Sequence, residues 1–479
     1  MIALVHSIWD RGAKVVLIFL LLAGIVVLTR LVFLPAPGVT PASFKPLSLG
    51  GVHRLLVLAP HCDDETLGPG GLILAAERAG IQVRVVIATN GDGSRSTAIG
   101  DFHEIDPKAA DYIRMGLVRQ QESLAALKVL GVHANRVSFL SYPDRGTPAM
   151  WNDHWSPQDP YQSPFSKDNK SPYTLTYDPK SVYAGADYLG DLTSILQSYH
   201  PDMIVYPSPE DVHPDHWGLS VFTRLAITTL HHADPSFRPA QYTYLVHRND
   251  YPTVLGYKPD QGLVPPPALY AISKDWYVWY LTPQDVVLKN EAVLKYSSQL
   301  PTLRRLMESF VRTNELFAPV TDTILPGVEH GNPLNPATWI EQSGRPIPPA
   351  QIDPIHDVLM RRAIPSADLV AVYAARDDQN TLWMCAQTDA KASEDIHYSL
   401  HLKALNAAGV LDYGAQREKP KPGWHTAALS GKYICDRVSL ADLHNPYAIF
   451  VGATSEGLVN LVIDQMAWQM VFINQAGQP

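Results

Sequence analysis

The sequence predicts an α/β fold, a mostly parallel sheet covered by helices on both faces, followed by a smaller β-rich region. Three observations carry this prediction. Between Arg54 and about His247, short apolar runs alternate with amphipathic stretches of helical period. Two of the runs end in clusters of His and Asp, and ligand sites of such sheets lie at the carboxyl ends of strands. Beyond residue 365 the period falls to two, as in Ile396-His397-Tyr398-Ser399-Leu400-His401-Leu402, where alternate side chains are apolar.

Strands are expected at 54–59, 83–88, 136–140, 203–207 and 241–246, and helices at 70–79, 117–130, 185–199 and 216–230. Strands alternating with helices make a Rossmann-like sheet. Residues 150–182 interrupt the alternation with a polar loop carrying Trp151, Trp155, Tyr161, Phe165, Tyr173 and Tyr177. These aromatics are expected to pack the loop onto the domain, with stacking on sugar rings as the alternative. A helical stretch from Gln284 to about Phe317 is expected to close the domain. Residues 318–365, rich in proline and polar side chains, are expected to be a linker. Runs at 368–375, 381–387, 396–402, 432–435 and 458–463 then predict a small β-sandwich-like domain. The expected division is 1–46, 47–317, 318–365 and 366–479. A chain of 479 residues exceeds one ordinary core, and 40 prolines fit long ordered loops.

The N-terminus has a different character. Val15 to Thr29 is uncharged and apolar, and after Arg30 the run resumes as Leu31-Val32-Phe33-Leu34. A bilayer core needs about 20 residues, so Val15 to Leu34 is expected to form a single membrane-spanning helix with Arg30 snorkelling near its end. A cleaved signal peptide with Arg11 and Lys14 as its basic region is the alternative, although no Ala-x-Ala site follows. The Pro35–Pro46 spacer would lead to a domain outside the cytoplasm.

A formal net charge of −9 argues against a nucleic-acid binder. Of the three cysteines, Cys62 lies inside the first His/Asp cluster. Cys385 and Cys435 lie in strand-like runs, where a disulfide and two buried thiols are equally open readings.

The first cluster is His61-Cys62-Asp63-Asp64-Glu65, directly after the run Arg54–Ala59. The second is Asp211-Val212-His213-Pro214-Asp215-His216, after Met203–Tyr206. Burying this many carboxylates is costly unless a positive charge sits among them, and a metal ion is the usual answer. Catalytic zinc sites use three protein ligands and keep one position open. His61 and Asp64 on a strand-to-helix turn, with His216 at the start of a later helix, can meet at one ion. Zn²⁺ suits this His/Asp/His set, with Fe²⁺ and Co²⁺ open by ligand type. Asp63 is then placed to take a proton from an attacking water, and His213 to stabilise a developing oxyanion. A bland reading competes, since His213 and His216 could simply form a helix N-cap cluster with Asp211 and Asp215. His247, at the end of the last strand, is a pocket candidate or a structural histidine. His397 and His401 fall on the polar face of a strand and are expected to be solvated.

His-x-Asp-Asp-Glu after a first strand, with His-Pro-Asp-His after a later one, resembles the PIG-L/LmbE-like N-acetylglucosaminyl deacetylase family. Thr89-Asn90-Gly91, Arg119-x-x-Glu122, Tyr142-Pro143-Asp144 and the helix with Lys289, Ala292, Tyr296 and Ser298-Gln299 also resemble family positions, so the likeness covers about 52–310. The resemblance implies His61, Asp64 and His216 as zinc ligands and Asp63 as general base. It implies that His213 stabilises the tetrahedral intermediate and protonates the leaving amine, and that Asp215 orients His213. Arg119 and Asp144, together with His247, would contact substrate. The family usually has proline where Cys62 stands, and a neutral replacement is expected because ligands and base are unchanged.

The expected function is zinc-dependent hydrolysis of an N-acetyl group from a GlcNAc-containing saccharide or glycoconjugate of the cell envelope. The protein would be membrane-anchored with its catalytic domain outside the cytoplasm. The alternatives are a non-catalytic carbohydrate-binding envelope protein on the same scaffold and a hydrolase of another amide or ester.

Overall fold

The computed structural model describes residues 38–94, 106–353, 364–416, 420–457 and 462–474. The expected membrane span, Val15 to Leu34, lies outside the described residues. Among the described residues no helix is long and apolar enough to cross a membrane.

The α/β region contains β1 (Lys45–Pro46), β2 (Arg54–Ala59), α1 (Asp64–Leu67), α2 (Gly70–Arg78), β3 (Gln82–Thr89), α3 (Ala109–Val129), β4 (Val137–Tyr142), α4 (Thr147–Asn152) and α5 (Gly185–Tyr199). It continues through β5 (Met203–Pro207), α6 (Pro214–Ala233), β6 (Ala240–Tyr244), α7 (Pro267–Ile272), β7 (Tyr277–Tyr280), α8 (Pro283–Val293), α9 (Leu300–Met307) and β8 (Asn314–Pro319). The eight strands form one sheet in the order β1-β7-β8-β6-β5-β2-β3-β4. From β6 to β4 every pairing is parallel. Alternate residues of β2 serve two cores. Leu55, Val57 and Ala59 join α2 and α3, whereas Leu56 and Leu58 join α5 and α6. Burial on both faces is why β2 is continuously apolar rather than alternating.

Two sequence expectations need correction here. The stretch from Gln284 to Phe317 is not one closing helix, because β8 follows α9 and pairs antiparallel with both β6 and β7. The 318–365 stretch contributes strands as well. These are β9 (Thr323–Ile324), β10 (His330–Asn332), β11 (Asn335–Ile340) and β12 (Gln351–Ile352).

The β-rich region holds β13 (Leu369–Arg376), β14 (Thr381–Thr388), β15 (His397–Asn406), β16 (Gly409–Gln416), β17 (His425–Thr426), β18 (Ala428–Ser430), β19 (Tyr433–Ser439), β20 (Ala448–Glu456), β21 (Val462–Gln465) and β22 (Gln469–Phe472). One sheet runs β12-β13-β14-β19-β18 and the other β17-β16-β15-β20-β22-β9, with β21 on β20. Val372, Met384 and Ile434 of the first sheet share a core with Leu402, Val451 and Val471 of the second, which makes a sandwich. Cys385 and Cys435 face each other across β14 and β19 and form a disulfide.

The sandwich is built onto the α/β region. Phe450, Trp468, Met470 and Phe472 turn away from the sandwich core and join the cluster containing Trp151 and Phe222. The Trp151 ring lies 5.3 Å from Phe450 and 5.5 Å from Trp468. The loop aromatics Trp151 and Trp155 are therefore packing groups at this junction. His401 also differs from expectation. Its ring lies 5.4 Å from Trp424 and 5.6 Å from Trp468, and Nε2 is 3.0 Å from Thr454 Oγ1. Burial, then the nearby Lys421 and Lys403, pulls it down to about 3.

Candidate metal and catalytic site

After β2 the chain turns to β3 and β4 on one side, and later returns to β5 on the other. The carboxyl ends of β2 and β5 thus flank the crevice where such sheets bind ligands. The first cluster leaves β2 and the second leaves β5.

The turn after β2 is strained and held. Asp63 has φ of 147°, a backbone region that non-glycine residues rarely adopt. The Glu65 carboxylate accepts the Asp63 N–H at 3.0 Å and the Tyr296 hydroxyl at 2.6 Å. Arg119 donates to Asp63 Oδ2 at 3.0 Å, to the Cys62 carbonyl at 2.6 Å and to the Gly91 carbonyl at 2.7 Å. Gly91, at φ 62°, approaches so closely that a Cβ there would overlap the Arg119 guanidinium.

His61 Nδ1, Asp64 Oδ2 and His216 Nε2 form a triangle with edges of 3.1, 3.0 and 3.3 Å. Donors about 2.0–2.1 Å from one tetrahedral ion stand roughly 3.3 Å apart. Asp64 Oδ1 is buried with no hydrogen-bond partner among the described residues. The outer nitrogens of both imidazoles face carboxylates. His61 Nε2 is 3.2 Å from Asp215 Oδ2 and 3.5 Å from Asp144 Oδ1, and His216 Nδ1 is 2.9 Å from Asp211 Oδ2. This is the outer-shell arrangement that points the other ring nitrogen at a metal.

The charges agree. Burial pulls His216 down, yet Asp211 and Asp64 raise it to about 9. Burial likewise opposes protonation of His61, and Asp144, Asp215 and Asp64 overcome it. Burial alone would raise Asp64, but His216 and His61 hold it well below the carboxylate range. The pocket of carboxylates therefore demands positive charge, and the donor set fits a divalent cation. Burial raises Asp63 to about 7 against the pull of Arg119.

His213 caps α6, its Nδ1 accepting the Asp215 N–H at 3.3 Å, while Asp211 Oδ1 accepts the His213 N–H at 3.0 Å. The capping reading thus holds for His213, in a cluster that also reaches the donor triangle through His216. With Nδ1 accepting, a neutral His213 carries its proton on Nε2. Burial, then His61 and His216, keeps it well below the usual imidazole range. His213, His247 and Arg145 line a cleft of about 970 Å³ with Val212, Val254 and Leu255.

Three assignments change. Arg119 is buried and engaged with Asp63 and two carbonyls, so it positions that carboxylate from behind and does not line the cleft. Asp144 is buried, accepts the Gly93 N–H at 2.7 Å and faces His61, so it too serves the site from behind. Asp215 accepts the Arg145 and Thr147 N–H groups and stands closer to His61 than to His213, which is 3.9 Å away. His247 is in the site, its ring 4.8 Å from His216 and 5.3 Å from His213. Cys62 has a fully buried side chain in the apolar core, in keeping with a neutral replacement. Sequence reasoning left Asp211 and Glu65 without roles, although both stood within the motifs. Their signal was a carboxylate two residues from a functional side chain.

The sheet and this donor set define a class, α/β proteins able to hold one metal ion at the switch point of a parallel sheet. Residues 56–227, within the α/β region, match the family model described as PIG-L: GlcNAc-PI de-N-acetylase. Over 197 residues the chain is 32% identical to a 1D-myo-inositol 2-acetamido-2-deoxy-alpha-D-glucopyranoside deacetylase of Mycobacterium sp. strain KMS, covering 40% of this chain and 56% of that one. A relative of the same description from Corynebacterium urealyticum is 26% identical over 200 residues, covering 40% and 53%. The chain spans about half the length of these curated relatives. An N,N'-diacetylchitobiose deacetylase structure from Pyrococcus horikoshii aligns at 18% identity and a TM-score of 0.35, covering 57% of this chain and 85% of that one.

Proposed function

We propose that this protein is a metal-dependent N-deacetylase that hydrolyses the N-acetyl group of a GlcNAc-containing saccharide, releasing acetate and a free amine. The triangle of His61, Asp64 and His216 with Asp63 beside it carries the reading. Those three residues would hold the ion, with zinc the proposed metal, which supplies Lewis-acid polarisation of the acetyl carbonyl. Asp63, held by Arg119 and Glu65, takes the proton of the attacking water as the new C–O bond forms. The His213 Nε2–H donates a hydrogen bond to the oxygen of the tetrahedral carbon. The proton taken up by Asp63 passes to the departing nitrogen as the C–N bond breaks, which returns Asp63 to its carboxylate form. Losing one such oxyanion donor costs about a hundred- to thousand-fold in rate.

The cleft beside His213 and His247 is large enough for a disaccharide-sized ligand. An envelope glycoconjugate and an extracytoplasmic catalytic domain belong to the same proposal. The apolar run Val15–Leu34 and the Cys385–Cys435 disulfide support them, since disulfides persist in oxidising compartments. Acetate release from N-acetylated saccharides, measured beside metal content, tests the reading. Asp63→Asn is expected to keep the metal and lose nearly all turnover. Normal hydrolysis by that variant would remove Asp63 from the mechanism.

A further inference from the structure

His247 leaves the end of β6 and enters the site from the side opposite the first cluster. Its backbone N–H donates to Asp211 Oδ2 at 2.9 Å, and that same oxygen lies 2.9 Å from His216 Nδ1. Its carbonyl accepts the Val212 N–H at 2.9 Å. One buried carboxylate therefore holds the main chain of His247 and stands against the ring of His216. Among the described residues, neither ring nitrogen of His247 has a hydrogen-bond partner. One of them lies with the donor atoms of His61, Asp64 and His216 in a group whose members are all within 4.8 Å of one another. Two donors facing each other across one ion at about 2.1 Å stand at most roughly 4.2 Å apart, so a ring at the edge of this group would move inward to bind an ion.

The other nearby histidine differs in each respect. The His213 Nδ1 is occupied by the Asp215 N–H, and His213 groups with Asp144 and Asp215 on the outer side of His61. Of the two rings, only that of His247 is free and turned toward the triangle.

We infer that His247 is a fourth protein ligand of the metal, giving a donor set of three imidazoles and one carboxylate. Held by all four, an ion would be open to substrate only where His247 gives way, and its half-buried ring borders the cleft. This inference rests on His61, Asp64 and His216 being metal ligands.

X-ray absorption of the zinc-loaded full chain tests it directly by counting imidazoles, with three expected. Chelator competition on His247→Ala and His247→Gln should show zinc bound at least about tenfold more weakly than in the unmutated protein, whereas His213→Ala should retain its affinity. Cobalt-substituted protein should change its d–d spectrum in both His247 variants. One zinc held by two imidazoles, or unaltered affinity and spectrum in the His247 variants, would overturn the inference and leave the three-ligand site standing. Protein that takes up no zinc at all would remove both readings. A count of two imidazoles needs no variant and overturns the inference even where a substitution prevents folding.

Discussion

Lys289 and Glu315 form a buried ion pair, and its disruption is expected to be among the costliest changes outside the metal site. Lys289 Nζ lies 2.6 Å from Glu315 Oε1 and donates to the Leu67 carbonyl at 2.8 Å. Glu315 also accepts the Leu72 N–H at 2.9 Å and the Gly71 N–H, so a carboxylate from β8 closes the first turn of α2. Burial pulls the lysine down and pushes the glutamate up, so each keeps its charge through the other. Lys289→Met leaves a buried carboxylate without its cation, and Glu315→Gln leaves a buried ammonium without its counter-charge. Each is expected to cost about 3–5 kcal/mol. The double variant removes both charges, so its cost should fall below the sum by roughly 1–3 kcal/mol. Urea unfolding of the metal-free protein, followed by tryptophan fluorescence and circular dichroism, measures all three. Additivity within about 0.5 kcal/mol would refute the reasoning, because independent sites behave in that way.

Other outcomes follow from the same geometry. Arg119→Met should lower kcat with little change in KM, since the guanidinium holds Asp63. A raised KM at normal kcat would return Arg119 to the substrate. Gly91→Ala should mimic that loss, because the new methyl occupies the Arg119 position at a left-handed backbone, and the two substitutions combined should cost little more than either alone in kcat. Trp151→Ala should cost about 3–5 kcal/mol and speed proteolysis at the junction of the two regions, and an unchanged melting temperature would mean the sandwich is not docked there. His401→Gln bears on acid stability. The folded imidazole titrates at about 3 and the unfolded one near 6.5, so the unfolded chain binds the extra proton between those values and stability falls as pH drops through that window. The variant should lose less melting temperature than the parent between neutral pH and pH 4, and identical losses would place His401 in solvent.

The parallel sheet was legible because burial on both faces leaves a strong trace, the unbroken run Leu55–Ala59 being the clearest. The β8 strand was not. Asn314-Glu315-Leu316-Phe317-Ala318-Pro319 follows two helices and carries polar groups that this fold uses internally, Glu315 on Lys289 and Asn314 on the Leu263 amide and carbonyl. Polarity that answers a partner far away in sequence looks like surface until the partner is known. The 318–365 stretch was misread for a related reason. Its strands are two to six residues long, too short for a period, and β9 and β12 take their order from the sandwich edges they join.

The site divides along the same line. The convergence of His61, Asp63, Asp64 and His216 was legible because such chemistry restricts itself to few residue types and the fold puts them at strand ends. Roles set by direction were not, since a sequence motif names residues without aiming them. Arg119 and Asp144 look like substrate contacts when the test is charge beside a pocket, yet both are buried behind the residues that would meet substrate. Such groups matter through orientation. The Asp63 carboxylate sits on a backbone conformation that its own side chain disfavours, and Glu65 below and Arg119 beside it keep it there. Arg119→Lys separates charge from shape in this argument. A lysine retains the positive charge but supplies a single ammonium where the guanidinium reaches three oxygens on two loops. If orientation governs, Arg119→Lys should fall nearly as far in kcat as Arg119→Met, and a lysine variant close to the parent rate would show that charge alone suffices.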